Sequence, residues 1–346
     1  MKNKKSISQK LSGYGFIFIF IAIFVAYLFI AQTTWNGVMN ILRHSAVTGM
    51  ISIGMGLIII TGGIDLSVGS SLALVGGLAV VVFNSTNSII LTLIFSLGAG
   101  AVCGAINGIL IGKAKMPAFI VTLGTMLIYR SVSQYILTNM SLSIYNMNGT
   151  LSNYHTFFSL GQALPLTIPL VGIIFMLVTL LFVYIATSTK FGKAIYAVGS
   201  NEKAARLAGV NVDMVRVLVY VITGVLVGGA AFLWLAMNGS VDPATVGRSY
   251  EMYAIAAVVI GGISMSGGKG KILGVFFGAM SYAIIDKIIA SLGLDALIND
   301  TIKGSILLLA IFIQIMVPVL KDYINKKFKK DGTNSNNKVQ SQQVEA

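Results

Sequence analysis

The sequence is poor in the side chains that build disulfides, metal sites and acid–base centres. It contains one cysteine, Cys103, so an internal disulfide framework is excluded, and its place in an apolar run predicts a packed small residue. The two histidines, His44 and His155, are far apart and form no metal-binding pattern. No acidic residue occurs between Asp65 and Glu202, and no relay of acids or histidines appears in the apolar runs. These absences argue against an enzyme and against a proton-coupled pump.

Charge is scarce as well, because only 10% of the residues are charged, against about 25% in soluble domains. Hydrophobic residues make up 56% of the chain and the mean hydropathy is +0.87. Such a composition would leave large sticky patches on a soluble protein, but it suits a lipid environment. The net charge of +13 does not indicate a nucleic-acid partner, since the basic residues cluster between apolar runs and in the C-terminal tail. That distribution is typical of the cytoplasmic loops of a membrane protein.

Ten apolar runs approach the roughly 20 residues that a helix needs to cross a bilayer. The first follows Lys2, Lys4, Lys5 and Lys10, is too long for a signal peptide and precedes no cleavage site, so we interpret it as a retained span. Two runs are short, as expected of helices that break around a transport pathway. The sequence therefore predicts an all-α polytopic bundle of about ten spans, at 14–31, 42–61, 70–83, 89–112, 118–137, 166–187, 214–237, 252–265, 272–290 and 302–320.

The basic residues predict the orientation of this bundle. If the N-terminus is cytoplasmic, ten spans also place the C-terminus in the cytoplasm. Nineteen of the 24 Lys and Arg residues then lie on the cytoplasmic side, and the longest outer loop, 138–165, has none. We therefore expect a transmembrane domain over 1–322, with a cytoplasmic loop at 189–213. A polar, disordered cytoplasmic tail is expected over 323–346.

Glycine is abundant, at 38 residues, and part of it is arranged in stripes along helices. Glycines that recur every four residues share one helix face and let another backbone approach closely. We interpret the stripes as packing within the chain, and a subunit interface is the alternative. The residues concerned are Gly100, Gly104, Gly108 and Gly112, with the pairs Gly224 and Gly228, and Gly274 and Gly278.

The first segment that indicates a mechanism is Thr61-Gly-Gly-Ile-Asp-Leu-Ser-Val-Gly-Ser70, which separates two apolar runs. Its paired glycines permit a tight backbone path. Asp65 is flanked by apolar runs, where a carboxylate is costly and often functional. It either caps the next helix at its positive end or belongs to a gate, and a cap that orders a gate would satisfy both. The pathway or gate candidates are Thr61, Gly62, Gly63, Asp65 and Ser67.

The second segment, 189–212, predicts a short helix outside the membrane. Ser200 or Asn201 is placed to cap it, Glu202 lies in its first turn, and Gly209 ends it as the glycine after the C-cap. Such a helix of two turns is about 12 Å long and marginally stable alone. It needs a surface to dock on, which is either a groove of a partner or the protein's own cytoplasmic face.

The third segment, 251–271, ends in a glycine- and lysine-rich stretch that superficially resembles a phosphate loop. A Walker A motif needs a glycine, four further residues and then Gly-Lys-Ser/Thr, and Ile263 and Gly270 break that spacing. The chain therefore has no ATP-binding signature, and ATP-driven transport would need a separate ATPase subunit. Lys269 and Lys271 are explained by anchoring at the cytoplasmic face.

Together these segments resemble the permease family of ATP-binding-cassette importers for sugars of the ribose, xylose and galactoside type. The resemblance covers about residues 38–322, and its motifs in this order are highly specific. It is carried by 61–70, by Gly192-Lys-Ala-Ile-Tyr-Ala-Val-Gly-Ser-Asn-Glu-Lys-Ala-Ala-Arg-Leu-Ala-Gly-Val-Asn211, by 253–271 and by Pro117-Ala-Phe-Ile-Val-Thr-Leu-Gly124.

The resemblance implies a permease subunit of the bacterial plasma membrane that forms the pathway for a monosaccharide or related polyol. It implies a second copy or a sister permease, an extracytoplasmic sugar-binding protein and ATP-binding subunits that hold ATP and Mg²⁺, so this chain needs no cofactor. The loop would supply the coupling helix, with Asn201, Glu202, Ala204, Ala205 and Gly209 matching the family motif. The outer segment 138–145 lacks the glycine and proline of relatives and leaves the substrate open.

The alternative function is an ion-coupled secondary transporter of a small polar solute, which would need an ion site near the middle of the bilayer. The charged residues within the predicted spans include Arg130, Asp286 and Lys287. We attribute them to snorkelling or to neighbouring ion pairs. A membrane enzyme is a third hypothesis, but the sequence offers no catalytic constellation for it.

Overall fold

The computed structural model of the chain describes residues 15–31, 33–140, 142–144, 151–162, 168–293, 298, 301–312 and 316. The chain divides into two units, Met1–Ala296 and Leu297–Ala346. The described part of the second unit contains one apolar helix, Thr301–Phe312, which we label α13. The predicted disordered tail, 323–346, lies outside the described residues.

Helices account for almost all of the regular structure in the described part of the first unit, and one isolated bridge joins Ser143 to Ser240. The all-α class is therefore confirmed for these residues. The helices are α1 Gly15–Ala31, α2 Trp35–Ile60, α3 Val68–Thr86, α4 Ile89–Gly112, α5 Ala118–Leu137, α6 Leu151–Ser159, α7 Leu170–Ser188, α8 Lys190–Ser200, α9 Glu202–Leu207, α10 Val212–Asn238, α11 Tyr250–Ile260 and α12 Ile272–Ser291.

Six of these helices, α2, α3, α4, α7, α10 and α12, are long and apolar enough to cross a membrane. Helices α1, α11 and α13 are apolar but shorter. Helix α5 has 20 residues, and the polar side chains of its second half, Arg130 and Gln134 among them, lower its hydropathy. Each of the ten predicted runs contains a helix, but ten crossings stay a prediction.

Of the two runs predicted to be short, one forms a long helix and the other forms a short helix. Helix α3 has 19 residues because Asn84, Ser85 and Thr86 continue it beyond the apolar run, so that prediction is wrong. The Thr86 hydroxyl donates to the Val82 carbonyl at 2.7 Å, which lets a polar residue end the helix. Helix α11 has only 11 residues, as predicted, and starts after an irregular segment at 239–249.

A helix that the sequence analysis missed, α8, occupies the first half of the predicted loop at 189–213. The Thr189 side chain caps it by accepting the Gly192 N–H at 3.0 Å. Gly192, Ile195 and Val198 recur at intervals of three and form its buried face. The basic residues hid this amphipathic pattern, since they suggested an extended cytoplasmic loop.

Helices α2 and α10 form the centre of the first unit. The most apolar window of α2 is 83% buried, whereas that of α4 is only 28% buried. Helix α10 packs along α4, and a Cβ atom added to Gly104 or Gly224 would clash with backbone of the facing helix. The glycine stripes of α4 and α10 therefore pack against each other, and Gly274 and Gly278 of α12 pack on Gly261 and Ala257, so all three serve packing within the chain, as preferred from the sequence. The exposed face of α4, with Ile90, Ile94 and Val102, is suited to lipid.

Candidate functional site

The break between α2 and α3 is tied to two other helices by buried hydrogen bonds. The Asp65 Oδ1 atom accepts the Ser67 N–H at 2.8 Å and the Ser67 hydroxyl at 2.7 Å. The Asn107 amide of α4 donates to the Ser67 hydroxyl at 2.8 Å, and the Tyr220 hydroxyl of α10 donates to the Ile64 carbonyl at 2.8 Å. Asp65, Ser67 and Asn107 are buried. The break is thus an ordered element with fixed partners on α4 and α10.

Asp65 does not cap α3 as one of the two sequence interpretations required. The residue at the N-cap is Ser67, and its side chain makes no cap bond to the helix. Asp65 lies two residues earlier and holds the Ser67 backbone and side chain, so its carboxylate orders the turn that leads into α3. Its membership of a gate stays a prediction.

Helices α2 and α11 end in the same way, with a glycine in the left-handed region. Gly62 has φ +81° and its N–H donates to the Ile59 carbonyl at 2.9 Å. Gly262 has φ +80° and its N–H donates to the Val259 carbonyl at 2.9 Å. This geometry satisfies the last carbonyls of each helix and turns the chain sharply. The paired glycines of the first and third sequence segments therefore serve equivalent helix ends.

These two helix ends meet α8 at a contact that we call the glycine junction, formed by residues 60–63, 196–200 and 261–270. The Gly268 N–H donates to the Ile60 carbonyl at 2.8 Å, and the Tyr196 hydroxyl donates to the Gly270 carbonyl at 3.0 Å. A Cβ atom on Gly199 would clash with the Ile60 carbonyl and lie 2.7 Å from the Gly268 nitrogen. Three backbone segments are therefore in direct contact.

The short helix α9 follows α8 directly and has the predicted ends. The Asn201 side chain caps it by accepting the Ala204 N–H at 3.0 Å, and Gly209 has φ +80°. Of the predicted coupling residues, Ala205 packs inward at 3% exposure, while Ala204 faces outward. Leu207 projects from the end of the helix and is 91% exposed. One side of α9 thus packs on this chain and its other side is open.

Ion pairs connect α9 to the start of α10. Glu202 pairs with Arg216 at 2.6 Å and with Arg206 at 3.0 Å, and Asp213 pairs with Arg206 at 2.6 Å and with Lys115. Partial burial favours neutral Glu202, but hydrogen bonds from Arg206 and the charge of Arg216 outweigh it, so the pKa of Glu202 lies below its usual value. Glu202 therefore remains charged and orients α9.

The starts of α3 and α11 also meet inside the bundle. A Cβ atom on Gly69 would clash with the Gly247 carbonyl, and a Cβ atom on Gly247 would clash with the Gly69 carbonyl. Arg130 of α5 donates to the Pro243 and Val246 carbonyls at 2.7 Å each. Arg130 therefore satisfies backbone acceptors of the irregular segment 239–249, where we had expected snorkelling or an ion pair.

Comparison with known proteins identifies the family to which this arrangement belongs. Residues 37–316 match the family model described as branched-chain amino acid transport system, permease component. The chain belongs to this permease family. Its members share the membrane-embedded part of a transport system, which agrees with the helical bundle and with the six helices that could cross a membrane.

Named relatives of this permease are sugar import proteins of bacteria. The ribose import permease protein of Escherichia coli K12 is 36% identical over 81% of this chain and 86% of the relative. The ribose import permease protein of Bacillus subtilis 168 is 36% identical over 89% of this chain and 93% of the relative. The xylose transport system permease protein of E. coli K12 is 32% identical over 86% and 91%. No solved structure gave a significant match to the permease.

The candidate gate residues of the permease lie together at the α2–α3 break, and the candidate coupling residues lie on and beside α9. Three residues that join these groups were not predicted from the sequence, namely Asn107, Gly199 and Tyr220. Asn107 could have been recognised, because it is a polar residue among the glycines of an apolar run. No sequence pattern near Tyr220 predicts its role, because that role depends on the hydrogen bond of its hydroxyl to the distant break between α2 and α3.

Proposed function

We propose that this permease is the membrane-spanning subunit of an ATP-binding-cassette importer and forms the pathway for a monosaccharide or related polyol. The geometry of α9 supports the proposal best. A short helix is capped at both ends, is oriented by ion pairs and presents an exposed Leu207, as expected of a helix that enters a groove of a partner. The names of the sugar import relatives support the solute class.

The proposed partners are an ATP-binding subunit under α9, an extracytoplasmic sugar-binding protein, and a second copy or a sister permease. The ATP-binding subunit would hold ATP and Mg²⁺. Movement of α9 would be transmitted through Asn201 to α8, whose Gly199 contacts the α2 end at Ile60 and the α11 loop at Gly268. The coupling path therefore leads from α9 through the glycine junction to both helix breaks.

The proposed topology has about ten spans, cytoplasmic termini and a location in the bacterial plasma membrane. We expect Ser85→Cys, near the end of α3, to react with a membrane-impermeant maleimide on intact cells in a Cys103→Ser background. Leu207→Cys on α9 should react only after permeabilisation, because the positive-inside distribution predicts a cytoplasmic position for α9. Mass spectrometry of the labelled protein would read both sites. Labelling of both cysteines, or of Leu207→Cys alone, in intact cells would contradict this orientation.

If α9 docks on a partner, a charge at its C-terminal end should have a large effect on sugar uptake. In the complex reconstituted with its ATPase and binding protein, Leu207→Asp should reduce ATP-driven sugar uptake at least tenfold. Desolvating a carboxylate in an apolar groove costs more than the roughly 1.4 kcal/mol that corresponds to tenfold. Because Leu207 is 91% exposed, the substitution should leave the protein level in the membrane unchanged.

The control for this variant is Met116→Asp, which places the same charge at a 40% exposed residue of the α4–α5 connection. Met116→Asp should retain wild-type uptake. Equal loss in both variants, or wild-type coupling in Leu207→Asp, would remove α9 as the docking helix. Wild-type uptake driven by an ion gradient without ATP would instead support the secondary-transporter alternative.

A further inference from the structure

A cavity of about 190 Å³ lies between α2, α11 and α12, away from the glycine junction. Its walls carry polar groups from all three helices, including Ser45 and Thr48 of α2, Tyr250 and Tyr253 of α11, and Asp286 of α12. His44 is exposed at its edge. Polar side chains are costly in an apolar bundle and gather where they serve a solute or its path. A cavity with this lining holds water rather than remaining empty.

The size of the cavity limits what it can bind. A volume of about 190 Å³ is many times the roughly 10–15 Å³ that one water molecule needs. It therefore has room for one small polar molecule. Three alanines, Ala279, Ala283 and Ala290, keep the α12 side open, since larger side chains there would fill it.

One wall of the cavity consists of tyrosines in mutual contact. The rings of Tyr250 and Tyr253 have centroids 5.5 Å apart, and those of Tyr253 and Tyr282 are 5.1 Å apart. Tyrosine offers an apolar ring face and a polar hydroxyl. This combination matches a sugar ring, which has a face of C–H groups and a rim of hydroxyls.

The charges and hydrogen-bonding groups favour a neutral ligand with many hydroxyls. Asp286 and Lys287 both line the cavity, so their formal charges offset each other. Thr48 and the tyrosines supply hydroxyls that donate and accept, and neutral His44 does both through its two nitrogens. Each hydroxyl of a polyol also donates and accepts, so it can pair with either kind of group.

The cavity is connected to the glycine junction through α11. Tyr250 and Tyr253 lie in the first turn of this 11-residue helix, and its last turn leads into the loop whose Gly268 contacts Ile60. If the glycine junction moves, α11 moves with it, either along its axis or by rotation about it, and the tyrosines of the cavity wall are displaced. The cavity is thus placed to change its shape when α9 and α8 move.

We propose that the cavity between α2, α11 and α12 binds one monosaccharide during passage, with the tyrosines against its C–H face and Thr48 and Asp286 bonded to its hydroxyls. The proposal rests on the proposed function and adds a solute site to it. The test uses the reconstituted complex in liposomes with D-ribose, D-xylose, D-fructose and L-leucine as separate probes.

The first measurement is the concentration dependence of uptake. Thr48→Val preserves the shape of the side chain and removes one hydroxyl, so KM for the transported sugar should rise about tenfold, as expected for a lost hydrogen bond of about 1.4 kcal/mol. Thr92→Val is the matched control, because Thr92 of α4 is buried and its hydroxyl bonds its own helix at 2.8 Å. Thr92→Val should retain the wild-type KM.

The second measurement needs no transport. In a Cys103→Ser background, Ala283→Cys should react with a small methanethiosulfonate reagent, and the transported sugar should slow this reaction at least threefold. Ser85→Cys, exposed on α3, should react at a rate that sugar does not change. Slower labelling in the presence of sugar would support occupancy of the cavity directly.

The outcomes separate this inference from the proposed function. Absence of ATP-dependent uptake of all three sugars in the wild-type complex would overturn the proposed function. Sugar uptake with an unchanged KM in Thr48→Val and without protection of Ala283→Cys would overturn the cavity site alone. Protection by L-leucine and by none of the sugars would overturn the monosaccharide as its ligand.

Discussion

Gly104→Leu should prevent the permease from forming a stable bundle. A Cβ atom at this position would clash with the Tyr220 carbonyl and lie 3.0 Å from the Gly224 Cα atom. Both of these are backbone atoms of α10, so a larger side chain can be accommodated only if α4 and α10 move apart. Helix association in lipid depends on such close packing, and we expect a loss of at least about 3 kcal/mol.

The measurement is the thermal unfolding midpoint of the detergent-solubilised protein, with size-exclusion chromatography to detect aggregation. Gly98→Leu is the control on the same helix, because a Cβ atom there has nothing within 4 Å. Glycine is about 0.8–1 kcal/mol less favourable than alanine within a helix and leucine ranks next to alanine, so Gly98→Leu should be neutral or slightly stabilising. Equal midpoints for the two variants would mean that the α4–α10 contact does not hold the bundle together.

The Gly104 contact also illustrates how far the sequence determines the fold. The four-residue spacing of Gly100, Gly104, Gly108 and Gly112 predicts a close helix contact, because spacing alone puts these residues on one face. It does not identify the partner helix, since the choice of α10 depends on how all of the helices pack. For this reason a subunit interface is also a valid interpretation of the spacing alone.

Local chemistry was predictable where it depended on neighbours in the chain. The ends of α9 follow from Asn201 and Gly209, because capping involves residues within one turn. The formation of helix α8 also depends on neighbouring residues, but its lysines made the buried face difficult to recognise. That face is formed by Gly192, Ile195 and Val198. The hydrogen bond from Asn107 to Ser67 was not predictable, since it forms only when α4 lies beside the break.

The cavity could not be predicted from the sequence either. Asp286 and Lys287 are adjacent, which suggested a local ion pair or snorkelling. The structure instead places both beside His44 and Tyr250, from helices that are far away in the chain. A charge in an apolar run therefore signals that a polar environment exists, whereas only the packing shows which residues supply it.

The second large effect is expected at the glycine junction, where Gly199→Ala should uncouple the permease. Position 199 lies in α8 with ordinary helical geometry, so alanine is compatible with the local backbone. The added methyl group would nevertheless clash with the Ile60 carbonyl and lie 2.7 Å from the Gly268 nitrogen. Helix α8 must then move away from the ends of α2 and α11, and α9 must move with it.

We expect Gly199→Ala to fold and to reach the membrane, because α8 lies at the edge of the bundle and its buried face is retained. ATP-driven uptake should nevertheless fall at least tenfold, since α8, which connects α9 to the helix breaks, loses its contact with them. Gly268→Ala meets the same contact from the other side, 2.7 Å from the Ser200 Cα atom, and should give the same defect. Because Gly268 has φ +66°, alanine there also strains the backbone and should lower the midpoint of thermal unfolding. Gly124→Ala, a helical glycine of α5 with nothing within 4 Å, should transport as the wild type.

The informative quantity is the number of sugar molecules transported per ATP hydrolysed in the reconstituted complex. If the junction transmits movement, this ratio should fall in Gly199→Ala and Gly268→Ala, while the midpoint of thermal unfolding of Gly199→Ala changes little. A fall in the midpoint with an unchanged ratio would indicate that the junction only stabilises the fold. Wild-type values of the ratio in both variants would show that α9 reaches the pathway by another route, and the ion pair between Glu202 and Arg216 would then be the next contact to break.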